Sequence, residues 1–204
     1  MKKDATRQLA LFSMLLAIEL ILVISPLGYI PVGVVNVTTM HIPVILAGIL
    51  LGKRKGAQLG FVFGMTSLIM NTIRPLPTSF VFTPFLTIGS MQGNWASLLI
   101  VFIPRILLGY VSGMIFELFS KRSWNQDIVV AICAICGAFT NTILVLTGIY
   151  IFYGEAYAQV IQTSYDVLLS VLITSLSVNG VLEAIVGMIC SIVVYKAIAT
   201  KISS

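Results

Sequence analysis

A chain of 204 residues, 58% hydrophobic and only 9% charged, with a mean hydropathy of +1.06, would expose large apolar patches if it were soluble. That composition excludes a water-soluble domain and defines an integral membrane protein, long enough for six spans of about 20 residues with short connections and no second domain. The net charge of +5 does not mark a nucleic-acid binder, because ten of the twelve lysines and arginines stand at alternate boundaries of the apolar runs and read as topology signals.

The first span is predicted over about Ala5 to Ile24, preceded by Lys2, Lys3 and Arg7 and stopped at Ser25-Pro26. Its basic start resembles a signal peptide, but no small-residue cleavage site follows, so it reads as a retained helix. Residues 27–40 carry Gly, Pro and a β-branched run and predict an outer loop of extended character. The second span, His41 to Gly52, is short, and Lys53, Arg54 and Lys55 follow it. The third, about Gly56 to Asn71, places Gly56, Gly60 and Gly64 on one face, suited to close helix packing. Residues 72–95 form the longest connection, broken by Pro75, Pro77 and Pro84, and a loop of that length in a compact protein is usually functional.

The fourth span covers about Ala96 to Phe119, with Trp95 as an interfacial anchor and a second small-residue pair at Gly109 and Gly113. Lys121 and Arg122 close it. The fifth covers about Asp127 to Phe152 and holds Thr140-Asn141-Thr142 near mid-depth. Its Cys133 and Cys136 lie in the run AICAIC and read, like Cys190, as small buried hydrophobes. The sixth covers about Val167 to Ile198, with Asn179 and Glu183 one turn apart on one face, and ends with Lys196 and Lys201. The expected fold is an all-α membrane protein: six transmembrane helices in one domain over residues 1–204, both termini cytoplasmic, long outward loops between helices 1 and 2, 3 and 4, and 5 and 6.

Chemistry narrows next. GILLGK (Gly48 to Lys53) fails as a phosphate loop: three residues separate its glycines where four are needed, and Arg54 follows the lysine. With one histidine and no carboxylate cluster at metal spacing, neither hydrolytic catalysis nor a metal is supported, and no cofactor is implied. What remains is a set of polar groups at outer to middle depth. Glu19, Arg105, Asn141, Asn179 and Glu183 lie within spans and must turn inward to find partners, with Asn71, Arg74 and Thr78 in the loop above and His41 at the outer boundary.

Arg105 falls about 15 Å below the outer end of its span. Either it pairs with Glu19, or Arg105 or Arg74 receives a substrate carboxylate in a bidentate fork. Asn141 and Asn179 could then bond substrate hydroxyl or amide groups, while Glu183 reads as a structural partner of neighbouring helices. Tyr29, Phe80, Phe82 and Phe85 could wall such a pocket, with residues 74–85 as a lid.

The segment MHIPVILAGILLGKRKGAQLGFVFGMTSLIMNT (Met40 to Thr72), PTSFVFTPF (Pro77 to Phe85), PRILLG (Pro104 to Gly109), the TNT of the fifth span and Asn179-Gly180 with Glu183 resemble the substrate-binding S components of energy-coupling factor vitamin transporters. The resemblance covers essentially the whole chain and is nearest to pantothenate-type members, with hydroxymethylpyrimidine, pyridoxine and folate types as alternatives. It implies a non-enzymatic, multi-pass protein of the prokaryotic plasma membrane that captures a small vitamin at its outer face. It also implies a transmembrane coupling subunit and two cytoplasmic ATPase subunits as partners. Family members present a small-residue face of helix 1 to the coupling subunit, and the nearest equivalents here are Ala10, Ser13 and Ala17. Substrate contacts are expected from Arg105, Asn141, Asn71, Arg74, Phe80, Phe82, Asn179 and His41. The readings from other classes are a self-contained secondary carrier or channel, and a membrane-embedded enzyme.

Overall fold

Backbone N–H and C=O groups find no water in a hydrocarbon layer, so a chain this apolar must satisfy them internally. The computed structural model, which describes residues 2–25, 28–32, 35–89, 91–121 and 124–202, does so almost entirely with helix. Pro26 and Arg122 lie outside the described residues, as do the side chains of Lys2, Lys3, Tyr29 and Lys201. Helix α1 (Lys2–Ile24) is followed by a hairpin of β1 (Tyr29–Val32) and β2 (Val35–Thr38), then α2 (His41–Leu51) and α3 (Lys53–Ile73). A 3-10 turn (Ser79–Val81) and a small hairpin of β3 (Thr87–Ile88) and β4 (Met91–Gln92) lead to α4 (Ala96–Phe119) and α5 (Gln126–Val160). Helix α6 (Tyr165–Ser175) runs through a π-helical turn (Leu176–Gly180) into α7 (Val181–Ile202).

Among the described residues, five segments are long and apolar enough to cross a membrane: Ala5–Ile24, Lys53–Ile73, Ala96–Phe119, Gln126–Val160 and Tyr165–Ile198. The second predicted span differs. Helix α2 has 11 residues, which at 1.5 Å each reach about 16 Å, roughly half of a hydrocarbon core. It is preceded by the antiparallel β1–β2 hairpin, in register Tyr29↔Thr38 and Ile30↔Val37, which pairs its own backbone groups where Gly, Pro and β-branched residues disfavour helix. His41 and every residue from Pro43 to Ile49 are buried, so α2 has no lipid-facing side and forms the axis around which α1, α3, α4, α5 and α7 pack.

The expected long loop between the fifth and sixth spans is not formed. Helix α5 continues to Val160 and leaves only residues 161–164 as the connection. Residues 153–160 are rich in Ala, Glu and Gln and lack proline, so nothing in them stops a helix, and the reversal falls at Gln162, in the left-handed region at φ 56°. Gly154 packs so closely on the Tyr165 ring that a Cβ there would lie 2.6 Å from it.

What fixes the helices relative to one another is a seam of glycines. A Cβ at Gly48 would lie 2.6 Å from the Gly109 carbonyl and 2.9 Å from the Gly113 amide, Gly56 and Gly109 meet backbone to backbone, and Gly60 lies against the Arg105 carbonyl. Helices α2, α3 and α4 therefore touch along their main chains. Gly52, at φ 91°, makes the abrupt turn between α2 and α3 that lets both reach the seam.

At one end of the bundle, charged residues pair across helices. Lys53 bonds Glu117 at 2.8 Å across α3 and α4, Lys196 bonds Asp127 at 2.8 Å across α7 and α5, and Lys55 lies over the Phe12 ring of α1. The lateral surface is apolar, with Ile21, Ile24 and Ile151 more than 60% exposed, as a lipid-facing surface requires. Ala10, Ser13 and Ala17 are also exposed, on α1.

Because the seam leaves no volume, Gly60→Ala is expected to push α4 away from α3 and to destabilise the detergent-solubilised protein by about 1–3 kcal/mol, the usual range for overpacking. Thermal unfolding followed by size-exclusion chromatography checks this, with Leu9→Ala on the lipid-facing surface of α1 expected to leave the midpoint unchanged.

Candidate functional site

Arg105 is the ninth residue after Ala96, so its Cα lies about 14 Å below the outer end of α4. The residue is only 8% exposed. Its Nη1 donates a hydrogen bond of 2.7 Å to the Ile100 carbonyl, which turns the side chain back toward the outer end of its own helix. There the guanidinium lies between two rings, 5.6 Å from the centroid of Phe63 on α3 and 5.5 Å from that of Phe82 in the loop after α3. Both distances are within cation–π range.

The Arg105–Glu19 pair is not formed. Glu19 is fully buried, and neither of its carboxylate oxygens has a hydrogen-bond partner. The reason is helix adjacency: α1 packs chiefly on α2 and α3, whereas Arg105 reaches toward α3 and the outer loop.

Asn141 enters the same layer through the antiparallel register of α4 and α5. Ser112 bonds the Cys133 carbonyl, and Gly148 lies against Ile100, so Arg105, between those points, is level with Asn141. Gly180 of the π-helical turn packs beside Thr142, which brings Asn179 to that level too. The side-chain carbonyl oxygens of Asn141 and Asn179 are both enclosed and both without a hydrogen-bond partner. A buried acceptor left unbonded costs about 1–3 kcal/mol, and these two oxygens lie at the same level of the bundle as Arg105. The π-helical turn itself is a rare, weakly bonded element found mostly at functional positions.

Below this layer the polar groups are structural. The Glu183 Oε1 accepts the Thr38 backbone N–H at 2.7 Å, and the Glu183 carbonyl accepts from His41 Nε2 at 3.1 Å. One residue of α7 thus holds both the end of β2 and the start of α2. His41, predicted at an outward site, is 2% exposed and enclosed by α7, where a Cβ at Gly187 would lie 2.7 Å from its Nε2.

The proline-rich loop is sewn to the bundle. Asn71 donates to the Ser67 carbonyl at 2.8 Å and accepts from the Ser79 hydroxyl at 2.7 Å, while Thr72 meets Thr83 at 2.8 Å. On the other side the Ser97 hydroxyl donates to the Phe80 carbonyl at 3.0 Å and contacts the Tyr153 hydroxyl at 2.6 Å. Phe80 is consequently an anchor, fully buried and edge-on to Tyr153. Asn71 has both ends of its amide engaged in bracing this loop. Phe82 is the aromatic that reaches Arg105; Phe85 and Arg74 are exposed, and Thr78 is half-buried at the start of the 3-10 turn. A separate cavity of about 220 Å³ lies between the end of α5 and α6, lined by Tyr157, Gln162, Thr163 and Ser175 with apolar neighbours, and contains no cation.

Sequence reasoning missed Phe63, Pro104 and the Ser79, Ser97 and Tyr153 braces. Only Pro104 carried a local signal, as a proline next to an intramembrane arginine. Phe63 is indistinguishable from the other apolar residues of α3.

The fold and site define a multi-pass α-helical protein of the cell membrane with a buried, cationic polar layer beneath an outer loop. A family model described as "ECF transporter, substrate-specific component" matches residues 7–195. Among curated proteins, the pantothenic acid transporter PanT of Lactococcus lactis subsp. cremoris is 35% identical over 189 residues, covering 91% of this chain and 92% of that protein. The pantothenate transporter PanT of Leuconostoc mesenteroides subsp. mesenteroides is 31% identical over 196 residues, covering 93% and 90% respectively. The chain belongs to the family of ECF transporter substrate-specific components. It is a transport subunit and not an enzyme, and its family implies a vitamin substrate and an ECF module as partner.

Since one Glu183 carboxylate oxygen holds the hairpin, Glu183→Ala is expected to speed amide exchange at Thr38 and its neighbours about tenfold, equivalent to losing one hydrogen bond of roughly 1.4 kcal/mol. Glu183→Gln retains an acceptor and is expected to change it much less. Hydrogen–deuterium exchange with mass spectrometry over residues 28–40 reads the difference.

Proposed function

We propose that this subunit captures pantothenate at the outer face of the membrane. The observation that carries the reading is the layer of one buried guanidinium and two unbonded asparagine carbonyls. Pantothenate brings one carboxylate, one amide N–H and two hydroxyls, which is one anion for Arg105 and three donors for the acceptors of Asn141 and Asn179. Both curated relatives are named as pantothenate or pantothenic acid transporters, which supports the same substrate. Pyridoxine and hydroxymethylpyrimidine carry no carboxylate to offer Arg105. Folate carries carboxylates on a molecule far longer than this layer.

Residues 1–204 act in this reading as one substrate-binding domain crossing the bilayer six times, with the β1–β2 hairpin and α2 together making the second crossing. The basic residues gathered at one end mark the cytoplasmic side, where both termini lie. The vitamin enters from the opposite side, with Phe82 at the mouth of the site and Arg74 in the loop above. Energy comes from a transmembrane coupling subunit and two cytoplasmic ATPase subunits. The small, exposed residues Ala10, Ser13 and Ala17 on α1 offer the coupling subunit a close approach.

Arg105→Ala is expected to weaken pantothenate binding by about 10- to 100-fold, or roughly 1.4–2.8 kcal/mol, and Asn141→Ala by about tenfold. Isothermal titration calorimetry on purified variants that keep the wild-type elution profile makes the measurement. Unchanged affinity in both variants, or a wild-type protein that binds pyridoxine and not pantothenate, contradicts the assignment.

A further inference from the structure

Pro104 sits inside α4, buried, immediately before Arg105. A proline has no N–H, so the carbonyl four residues earlier loses its helical partner. That carbonyl belongs to Ile100, and it is the one to which the Arg105 Nη1 donates at 2.7 Å. The two facts are complementary: the proline opens an acceptor on the outer-facing turn of α4, and the next residue folds its guanidinium back to fill it. Were an ordinary residue at 104, its backbone N–H would bond the Ile100 carbonyl and compete with the arginine for it, weakening this tether. Phe63 and Phe82 then confine the guanidinium plane from α3 and from the loop.

From this geometry we propose that Pro104 is a positioning residue that sets the site's preference for a carboxylate, by holding Arg105 back along α4 between Phe63 and Phe82. The inference rests on the reading that Arg105 receives the carboxylate of the vitamin. It adds that the direction of the arginine is dictated by a missing backbone donor. The tether removes much of the side chain's rotamer freedom before the ligand arrives.

The test separates placement from recognition. For placement, 4-fluorophenylalanine is incorporated at position 82 and its fluorine resonance is recorded without ligand in the wild type, Arg105→Gln and Pro104→Ala. Pro104→Ala restores a backbone donor and favours helix; Pro104→Val serves the same purpose should the alanine variant not fold. If Pro104 places the guanidinium, either variant moves the resonance in the direction that Arg105→Gln does. A resonance that stays at the wild-type position overturns the proposal.

For recognition, affinities for pantothenate and for its neutral primary alcohol, pantothenol, are compared. The wild type is expected to prefer the acid, and Pro104→Ala to reduce that preference about tenfold while its affinity for the alcohol stays within about twofold. Equal losses for both ligands would mean a merely structural role and would also overturn the proposal. A wild type that does not distinguish acid from alcohol contradicts the carboxylate reading of Arg105, and the fluorine resonance still decides whether Pro104 places it.

Discussion

Main-chain contact between α3 and α4 is the constraint from which the rest of the molecule follows. Lipid tails are as apolar as leucine, so helices in a bilayer gain little by burying large side chains against one another and associate best where small residues let backbones approach. Gly56 against Gly109, Gly60 against the Arg105 carbonyl and Gly48 against Gly109 and Gly113 form such an approach across three helices. The seam runs past the residue on which the site depends. Arg105 is therefore carried on a backbone that cannot shift without a collision, and its side chain is aimed from a fixed origin.

Around that origin, polar groups divide by whether they have partners. Glu183, His41, Thr38, Asn71, Ser79, Ser97 and Tyr153 bond one another or nearby backbone, tying the hairpin to α7 and the proline-rich loop to α3, α4 and α5. The Asn141 and Asn179 carbonyls do not. In a low-dielectric interior an unbonded acceptor is expensive, and these two oxygens at the level of Arg105 are what the proposed ligand site rests on. The fully buried carboxyl of Glu19 lies apart on α1, with no hydrogen-bond partner among the described residues.

Much of this was legible in the residues. Apolar runs punctuated by basic clusters located the long helices, the shortness of the His41–Leu51 segment was visible, and Arg105, Asn141 and Asn179 stood out as polar residues inside apolar runs. Three things were not. The Arg105–Glu19 pair depended on which helices are neighbours, and depth along a helix says nothing of adjacency: α1 packs on α2 and α3. The continuation of α5 through 153–160 was hidden because tyrosines and a glycine there resemble an interfacial loop, whereas the Tyr165 ring packing on Gly154 stabilises helix. Phe80 and Phe82 looked equivalent in PTSFVFTPF, yet the 3-10 turn sends one ring into the core and the other over Arg105. A two-residue spacing carries no such information outside a strand.

The central claim is that the carboxylate of a captured vitamin meets Arg105 in a layer with Asn141 and Asn179. An experimentally determined structure of the protein saturated with pantothenate tests it most directly. The account predicts carboxylate oxygens about 2.7–2.9 Å from the guanidinium nitrogens of Arg105, with ligand hydroxyl or amide hydrogens directed at the Asn141 and Asn179 carbonyl oxygens. A ligand whose carboxylate instead rests on Arg74, or one bound in the cavity between α5 and α6 with Arg105 still enclosed by Phe63 and Phe82, would contradict it.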